Sequence, residues 1–397
     1  MGKIIGNNSS ISTMEPMLPE EGGEALEDLV MELTEKAHRL AGPIHPIVQR
    51  SIGDLVRPMN CYYSNLIEGH DTHPRDIERA LAQDFSTQPK QRALQWEAKA
   101  HIELQQMIDG SPVEPCLVSE DSLRWLHREF CNRLPEEMLW MEDPDTKRKV
   151  KMVPGALRSE TVTVGRHIPP RPEHLTKFLA RFEEAYRPDR LSKLRRVLAV
   201  AASHHRLLWI HPFLDGNGRV TRLLSHAYLK HIGLGSGLWS VSRGLARSVH
   251  EYRVRLEGAD APRAGDLDGR GNLSTQGLLD FCRFFLRTCV DQVEFMSTLL
   301  APAEILRRIQ IFTEEEERAD RLPKRSFPLL REAWLMGEFE RGKAGGLTNY
   351  GQRQARTVLN RLVKKGFLIS DTPKGPVRLS FPIDIVERWF PKLYPAV

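Results

Sequence analysis

Residues 211–222 read HPFLDGNGRVTR: a base, an acid, a glycine pair and two arginines in one short stretch. Gly216 and Gly218 flank Asn217, so the backbone can turn there without a Cβ clash and aim its N–H groups together. Apolar residues follow at Val220, Leu223, Leu224 and Ala227, which predicts that a helix begins at the turn. Amides converging at a helix N-terminus form an anion site, helped by the helix dipole. Arg219 and Arg222 are three apart and share a face of that helix, where guanidinium groups suit a polyphosphate. Asp215 offers a hard oxygen ligand for Mg²⁺, which travels with phosphates. His211 is the one group nearby that titrates near neutrality, and it can take a proton from an attacking hydroxyl. Each piece alone is ordinary: a GNG turn often opens a helix, helix-face arginines are usually solvated, and a lone histidine is usually structural. Together they suit one task.

Around this stretch the chain reads as helical. Segments such as ALEDLVMELTEKAHRL and LSKLRRVLAVAASHHRLLW carry apolar residues at three- and four-residue spacing. The interruption ETVTVGRHI (Glu160–Ile168) is short, β-branched and bounded by prolines, and predicts a β-hairpin or flap over about 157–168. DAPRAGDLDGRGNLSTQG, residues 260–277, predicts a loop. The 397 residues are 41% hydrophobic and 27% charged, with a net charge of +5, which is ordinary for a globular chain and does not by itself call for nucleic acid. Five scattered cysteines without CxxC pairing argue against a disulfide framework or a zinc site and point to a reducing cytoplasm. No apolar run approaches a membrane span, and the N-terminus lacks the core of a signal peptide. The boundaries expected are a mobile leader at 1–22, a helical domain at 23–300, a linker at 301–326 and a tail domain at 327–397.

The tail changes character. LLREAWLMG predicts a helix, KAGGLTN a turn, and YGQRQARTVLNRLVKKG (Tyr350–Gly366) a strongly amphipathic helix stopped by Gly366. Two short strands, FLIS and VRLS, follow. Helix, turn, helix and hairpin outline a winged helix-turn-helix. Between Arg341 and Arg378 stand nine Lys or Arg and one acid, Asp371. Arg353, Arg356, Arg361, Lys364 and Lys365 on the second helix and Lys374 in the wing turn are candidate phosphate contacts on duplex DNA; a protein-interaction module with a solvated basic face stays open beside that. Near the other end of the chain, YYSNLIEGHD places Ser64 and Glu68 at i, i+4, with Gly69 as a helix stop. Read alone, this is a solvated helix end.

HPFLDGNGRVTR fills every position of the pattern HPFxDGNGRxxR and so resembles the signature of the Fic family. SNLIEG resembles that family's inhibitory motif, [ST]xxxE[GN], in members whose inhibitory helix (here about 50–69) precedes the core. ETVTVGRHIPP is similar to its flap, with Thr161, Val162, Thr163 and Val164 as the edge that docks a target. SRGLARSVHEYRVRL resembles the helix after the motif, and LSFPIDIVERWFPKLYP the close of members with a C-terminal winged helix. The likeness covers roughly residues 60–286. It implies a mainly α fold: a Fic-type helical domain with a small β-hairpin flap, plus the winged helix. It implies His211 as general base, Phe213 as core anchor, Asp215 on Mg²⁺, and Gly216, Asn217 and Gly218 on the α-phosphate. Arg219 would meet the β-phosphate, and Arg222 the γ-phosphate or the inhibitory Glu68. The implied reaction moves AMP from ATP to a Ser, Thr or Tyr hydroxyl of a target protein, or of the chain itself, and releases pyrophosphate. Removal of AMP by the same site, a different donor, and a DNA-binding regulator with a nucleotide-sensing core remain alternatives, and a homodimer stays open.

Overall fold

The three- and four-residue apolar spacing becomes sixteen α-helices among the described residues, against five short strands. The computed structural model describes residues 9–19, 23–110, 116–142 and 147–394. In chain order come α1 (Gly23–Ala41), α2 (Pro46–Ile67), α3 (Pro74–Leu81), α4 (Pro89–Gly110), α5 (Glu120–Cys131), an antiparallel pair β1 (Trp140–Glu142) and β2 (Lys149–Lys151), α6 (Leu175–Tyr186), α7 (Lys193–Ile210), α8 (Asn217–His231), α9 (Val241–Arg247), α10 (Val249–Asp260) and α11 (Thr275–Leu300). Then follow α12 (Pro302–Arg318), α13 (Ser326–Met336), β3 (Glu338–Phe339), α14 (Ala344–Thr348), α15 (Gln352–Lys364), β4 (Leu368–Ile369), β5 (Val377–Leu379) and α16 (Ile383–Trp389). No helix among the described residues is long and apolar enough to cross a membrane. All five cysteines are free thiols.

The chain forms two units. The first takes its described residues from Met1–Glu35, Asn60–Ser236 and Ser240–Gln292, and the second from Lys36–Met59, Gly237–Trp239 and Val293–Val397. This departs from the single 23–300 domain expected, because 36–59 and the end of α11 cluster with the tail.

In the first unit α7 is the central helix, buried on nearly every side from Val197 to Ile210. Its polar residues are therefore satisfied internally. His204 lies between Ser225 Oγ at 2.8 Å and the Tyr252 hydroxyl at 2.7 Å. Buried Arg206 donates to the Pro16 carbonyl at 2.8 Å and to Ala259 O at 3.3 Å. α8 packs on α7, α4 and α5, so the start of α8 is held from three sides.

The Arg206–Pro16 bond corrects the expected mobile leader. Met14 and Met17 are buried, Tyr186 donates its hydroxyl proton to Met17 O, and Leu273 N–H bonds to Glu15 O. Apolar methionines and carbonyls that meet buried donors dock residues 10–19; the rest of the leader, 1–8 and 20–22, lies outside the described residues.

In the second unit the expected linker is α12, an amphipathic helix that buries Ile305, Ile309 and Phe312 and packs on α13 and α16. Its acidic run solvates the outer face instead of breaking the helix. KAGGLTN is likewise mostly helical, as α14, and the turn moves to Asn349, whose φ is 54°. Phe312, Phe367 and Trp389 form an aromatic cluster with centroids 5.6–6.1 Å apart. The sheet order is β3-β5-β4, antiparallel throughout.

Candidate functional site

α7 ends at His211, which takes the left-handed conformation, φ 48° and ψ 62°, with its N–H on Leu207 O at 3.0 Å. A non-glycine residue there carries about 1–2 kcal/mol of strain, so the surrounding contacts must hold it. Arg158 supplies them. Its Nε donates to His211 O at 2.8 Å, its backbone N–H to Pro212 O at 2.9 Å, and its Nη atoms to Glu160 O and Pro170 O. Phe213 is fully buried and stacks on His127, 4.1 Å between centroids. The Asn217 side chain closes the loop: its Oδ1 accepts from Phe213 N–H at 3.0 Å and its Nδ2 donates to Phe213 O at 2.9 Å. The asparagine side chain is thus a clasp, and only its backbone remains for a ligand.

Gly216 caps α8 with φ 79°, which only glycine adopts freely. The first intrahelical bond of α8 is Val220 N–H to Gly216 O at 2.9 Å. The amides of Asn217, Gly218 and Arg219 precede it and lack intrahelical acceptors, as expected for an anion-binding terminus.

Both arginines are buried and both are held by carboxylates. Arg222 Nε donates to Ser64 Oγ at 2.8 Å, and its Nη2 to Ser64 O at 3.1 Å and Glu68 Oε1 at 2.6 Å. Arg219 Nη2 meets Asp215 at 2.9 Å and its Nη1 meets Glu97 at 3.0 Å, while its guanidinium lies 5.0 Å over the Phe130 ring. Glu68 follows the last residue of α2, where Gly69 turns with φ 83°. A Cβ placed on Gly218 would overlap Glu68 Oε1, so this glycine is what lets the carboxylate sit against the start of α8.

Burial works to raise the Glu68 carboxyl, but the charge and hydrogen bond of Arg222, with Arg219 behind, outweigh it and hold it below its ordinary value. Asp215 is also lowered: burial opposes, and Arg219 and the Gly216 amide prevail. Burial, with the charges of Arg158 and His167, pushes His211 down to about 4, so its imidazole is neutral at physiological pH. Its Nδ1 is buried without a hydrogen-bond partner among the described residues.

A cavity of about 400 Å³ opens beside these groups, lined by Glu68, His211, Gly218, Arg222, Tyr252 and the turn at Val164 and Gly165, among others. The flap is only partly the hairpin expected. Val164 and His167 exchange both backbone bonds at 2.9 Å, but Thr161, Val162 and Thr163 join no ladder. Pro169 and Pro170 carry no N–H, and Arg158 takes the Glu160 and Pro170 carbonyls that a longer hairpin would use.

The structure therefore gathers His211, Asp215, Gly216, Gly218, Arg219, Arg222, Ser64, Glu68 and Val164 into one site. Arg353, Arg356, Arg361, Lys364, Lys365 and Lys374 lie exposed in the second unit. The sequence reading missed Glu97, His70 and Arg158. Glu97 had a visible signal: it sits in phase with the buried α4 stripe His101, Leu104, Gln105 and Ile108, where a carboxylate needs a partner.

Residues 117–229 match the family model described as Fic/DOC family. Among curated relatives, protein adenylyltransferase Fic of Drosophila erecta and that of Drosophila melanogaster are each 43% identical over 79 residues, 20% of this chain. That stretch is 16% of the length of those relatives. A Fic family protein from Desulfovibrio desulfuricans G20 shares the fold at TM-score 0.54 and 16% identity, over 92% of this chain and 98% of that one. Fic-1 (aa134–508) from C. elegans does so at TM-score 0.51 and 16% identity, over 70% and 73%. The whole signature, His211 to Arg222, lies inside the match, so residues 117–229 form a Fic/DOC family domain.

Proposed function

We propose that the chain transfers AMP from ATP to a hydroxyl side chain of a target protein, and that Glu68 holds this transfer off. The observation that carries the reading is the Glu68 carboxylate, an anion already seated against Gly218 and bonded to Arg222. An anion there stands in for a terminal phosphate, so the site fits a triphosphate and is closed to it at rest. With Glu68 withdrawn, the α8 amides and Arg219 orient the α- and β-phosphates. A target hydroxyl then attacks the α-phosphorus, neutral His211 takes its proton, and the bond to the departing pyrophosphate breaks. His211, held in its strained backbone by Arg158, is fixed in place before substrate arrives.

Among the described residues no group of three or more His, Cys, Asp or Glu is arranged to hold a metal. Asp215, ionised and partly exposed, suits Mg²⁺ that takes its other ligands from phosphate and water. Bound there, the ion would supply charge neutralisation for the leaving group.

The test is mass spectrometry of wild-type and Glu68→Gly protein incubated with ATP, GTP, UTP and CTP. An AMP adduct on itself or an added lysate, raised about tenfold or more in Glu68→Gly, supports the reading. Equal labelling by both proteins sinks the autoinhibition. If wild type instead strips AMP from an adenylylated protein and Glu68→Gly cannot, the site works in the removal direction, with Glu68 aligning water.

A second reading concerns the second unit. Arg353, Arg356, Arg361 and Lys364 of α15 and Lys365, which caps it, are all exposed and make no ion pair among the described residues. Arg341 Nε donates to Gly375 O at 3.1 Å and ties the wing turn that carries Lys374. The element order, helix–strand–helix–helix–hairpin, supports a winged-helix reading, and its exposed basic helix suits the DNA backbone.

A further inference from the structure

Glu97 of α4 is buried, and both its oxygens are taken. Oε1 holds Arg219 Nη1 at 3.0 Å and Oε2 holds His70 Nδ1 at 2.7 Å. His70 stands two residues beyond Glu68, across the Gly69 turn, with its N–H on Asn65 O at 2.9 Å. The three-residue segment 68–70 thus reaches both arginines of α8. Glu68 touches Arg222 directly, and His70 touches Arg219 through Glu97.

The two grips differ in kind. Glu68 lies on the cavity side, where a ligand would go. Glu97 is not among the residues lining that cavity; it takes one end of the Arg219 guanidinium while Phe130 supports the face. The other end, Nη2, is on Asp215, which the proposed function assigns to the metal. Were Asp215 to hold a cation, Nη2 would be freed, and among the described residues Glu97 would be the carboxylate left on this guanidinium.

We propose that Glu97 is a positioning residue for the β-phosphate: it fixes Arg219 so that Nη2 meets that phosphate, with His70 setting the carboxylate from the segment that carries Glu68. This rests on the reading of the site as a nucleoside triphosphate site. Its consequence is selective. Losing Glu97 harms recognition of the β-phosphate and leaves recognition of the α-phosphate and nucleoside alone, because the α8 amides do not depend on it.

The experiment compares AMP and ADP affinity by calorimetry in the Glu68→Gly protein, with Glu97→Ala, Glu97→Gln and His70→Ala added in turn. The parent is expected to bind ADP more tightly than AMP. Glu97→Ala reduces that preference roughly tenfold, the scale of one well-oriented charged contact. Glu97→Gln, which can still accept from Arg219, restores part of it, and His70→Ala loses less than Glu97→Ala. An unchanged ADP preference in Glu97→Ala, or equal weakening of AMP and ADP in both Glu97 variants, overturns the proposal while leaving the nucleotide reading intact. A Glu68→Gly parent that binds neither nucleotide overturns both.

Discussion

Arg219 and Arg222 are buried and each is gripped by a carboxylate, whereas Arg353, Arg356 and Arg361 are exposed and none makes an ion pair among the described residues. Both groups are arginines on a helix, so the difference lies in their surroundings. A guanidinium taken out of water needs a partner charge, because an uncompensated buried ion costs several kcal/mol. A buried phosphate site therefore comes with resident anions, and its ligand must displace them. An exposed basic helix needs none, and water and salt hold its charges until an anion arrives. The first arrangement can be regulated by moving one carboxylate; the second responds mainly to ionic strength.

The sharpest way to break this comparison is at the base. His211→Ala, made in the Glu68→Gly protein, is expected to lower AMP transfer by about 10²–10⁴-fold, the range of a general base. The rate of labelled AMP incorporation reads it, and a variant keeping a tenth of the parental rate removes His211 from its role. Gly218→Ala tests the paired arginines themselves. Its Cβ would overlap the Glu68 carboxylate, and Arg222 Nη1 lies only 3.0 Å from the same point. The substitution unseats Glu68, yet it fills the ground a phosphate would use. Added to Glu68→Gly, it should weaken ATP binding about tenfold, a loss near 1.4 kcal/mol. Unimpaired ATP binding would mean that the terminal phosphate does not sit where the carboxylate does.

A smaller effect distinguishes the electrostatics. With His211 lowered to about 4 from an ordinary 6.5, its neutral form dominates at every pH above about 5. Glu68→Gly protein should then transfer AMP at a nearly constant rate from pH 8 down to pH 5.5. The acid limb arrives only as the pH falls through about 4. A base titrating at 6.5 would have lost roughly tenfold by pH 5.5. Wild-type protein should stay inhibited over the same range, since the Glu68 carboxyl is held below its ordinary value and remains ionised opposite Arg222.

The site was legible where chemistry is packed into consecutive residues. His211 to Arg222 carried base, acid, nest and arginines in one run, and the SNLIEG likeness brought Glu68 to Arg222 across 154 positions. Glu97 and His70 were not legible in that way: their meaning depends on the packing of α4 against α8, and no local pattern encodes an interhelix pair. Asn217 shows the opposite limit. Its residue type was read correctly as part of the turn, but whether its side chain faced a ligand or its own backbone was fixed only by the loop closing on Phe213. The elements misread were those where composition misleads. A charge run suggested a linker, yet Ile305, Ile309 and Phe312 form a buried stripe beneath it and make it α12. A polar leader suggested mobility, yet Met14 and Met17 find apolar cover and the Pro16 carbonyl finds Arg206.

The smallest expected effect tests the open side of the comparison. If α15 lies along a DNA backbone, each exposed arginine releases counterions when it meets a phosphate. Arg353→Ala combined with Arg356→Ala should lower the slope of log affinity against log salt by about 2, and weaken binding to unrelated duplexes alike. Neither side chain is tied into the fold by an ion pair among the described residues, so the melting temperature should hardly move. Fluorescence anisotropy over 50–200 mM salt reads the slope. An unchanged slope would mean that α15 is a solvated face. A loss confined to one sequence would mean that the arginines read bases. A uniform loss keeps the contrast: these charges stand open to a phosphate backbone, while those of α8 are covered by carboxylates that, on the proposed function, a nucleotide displaces only when Glu68 leaves.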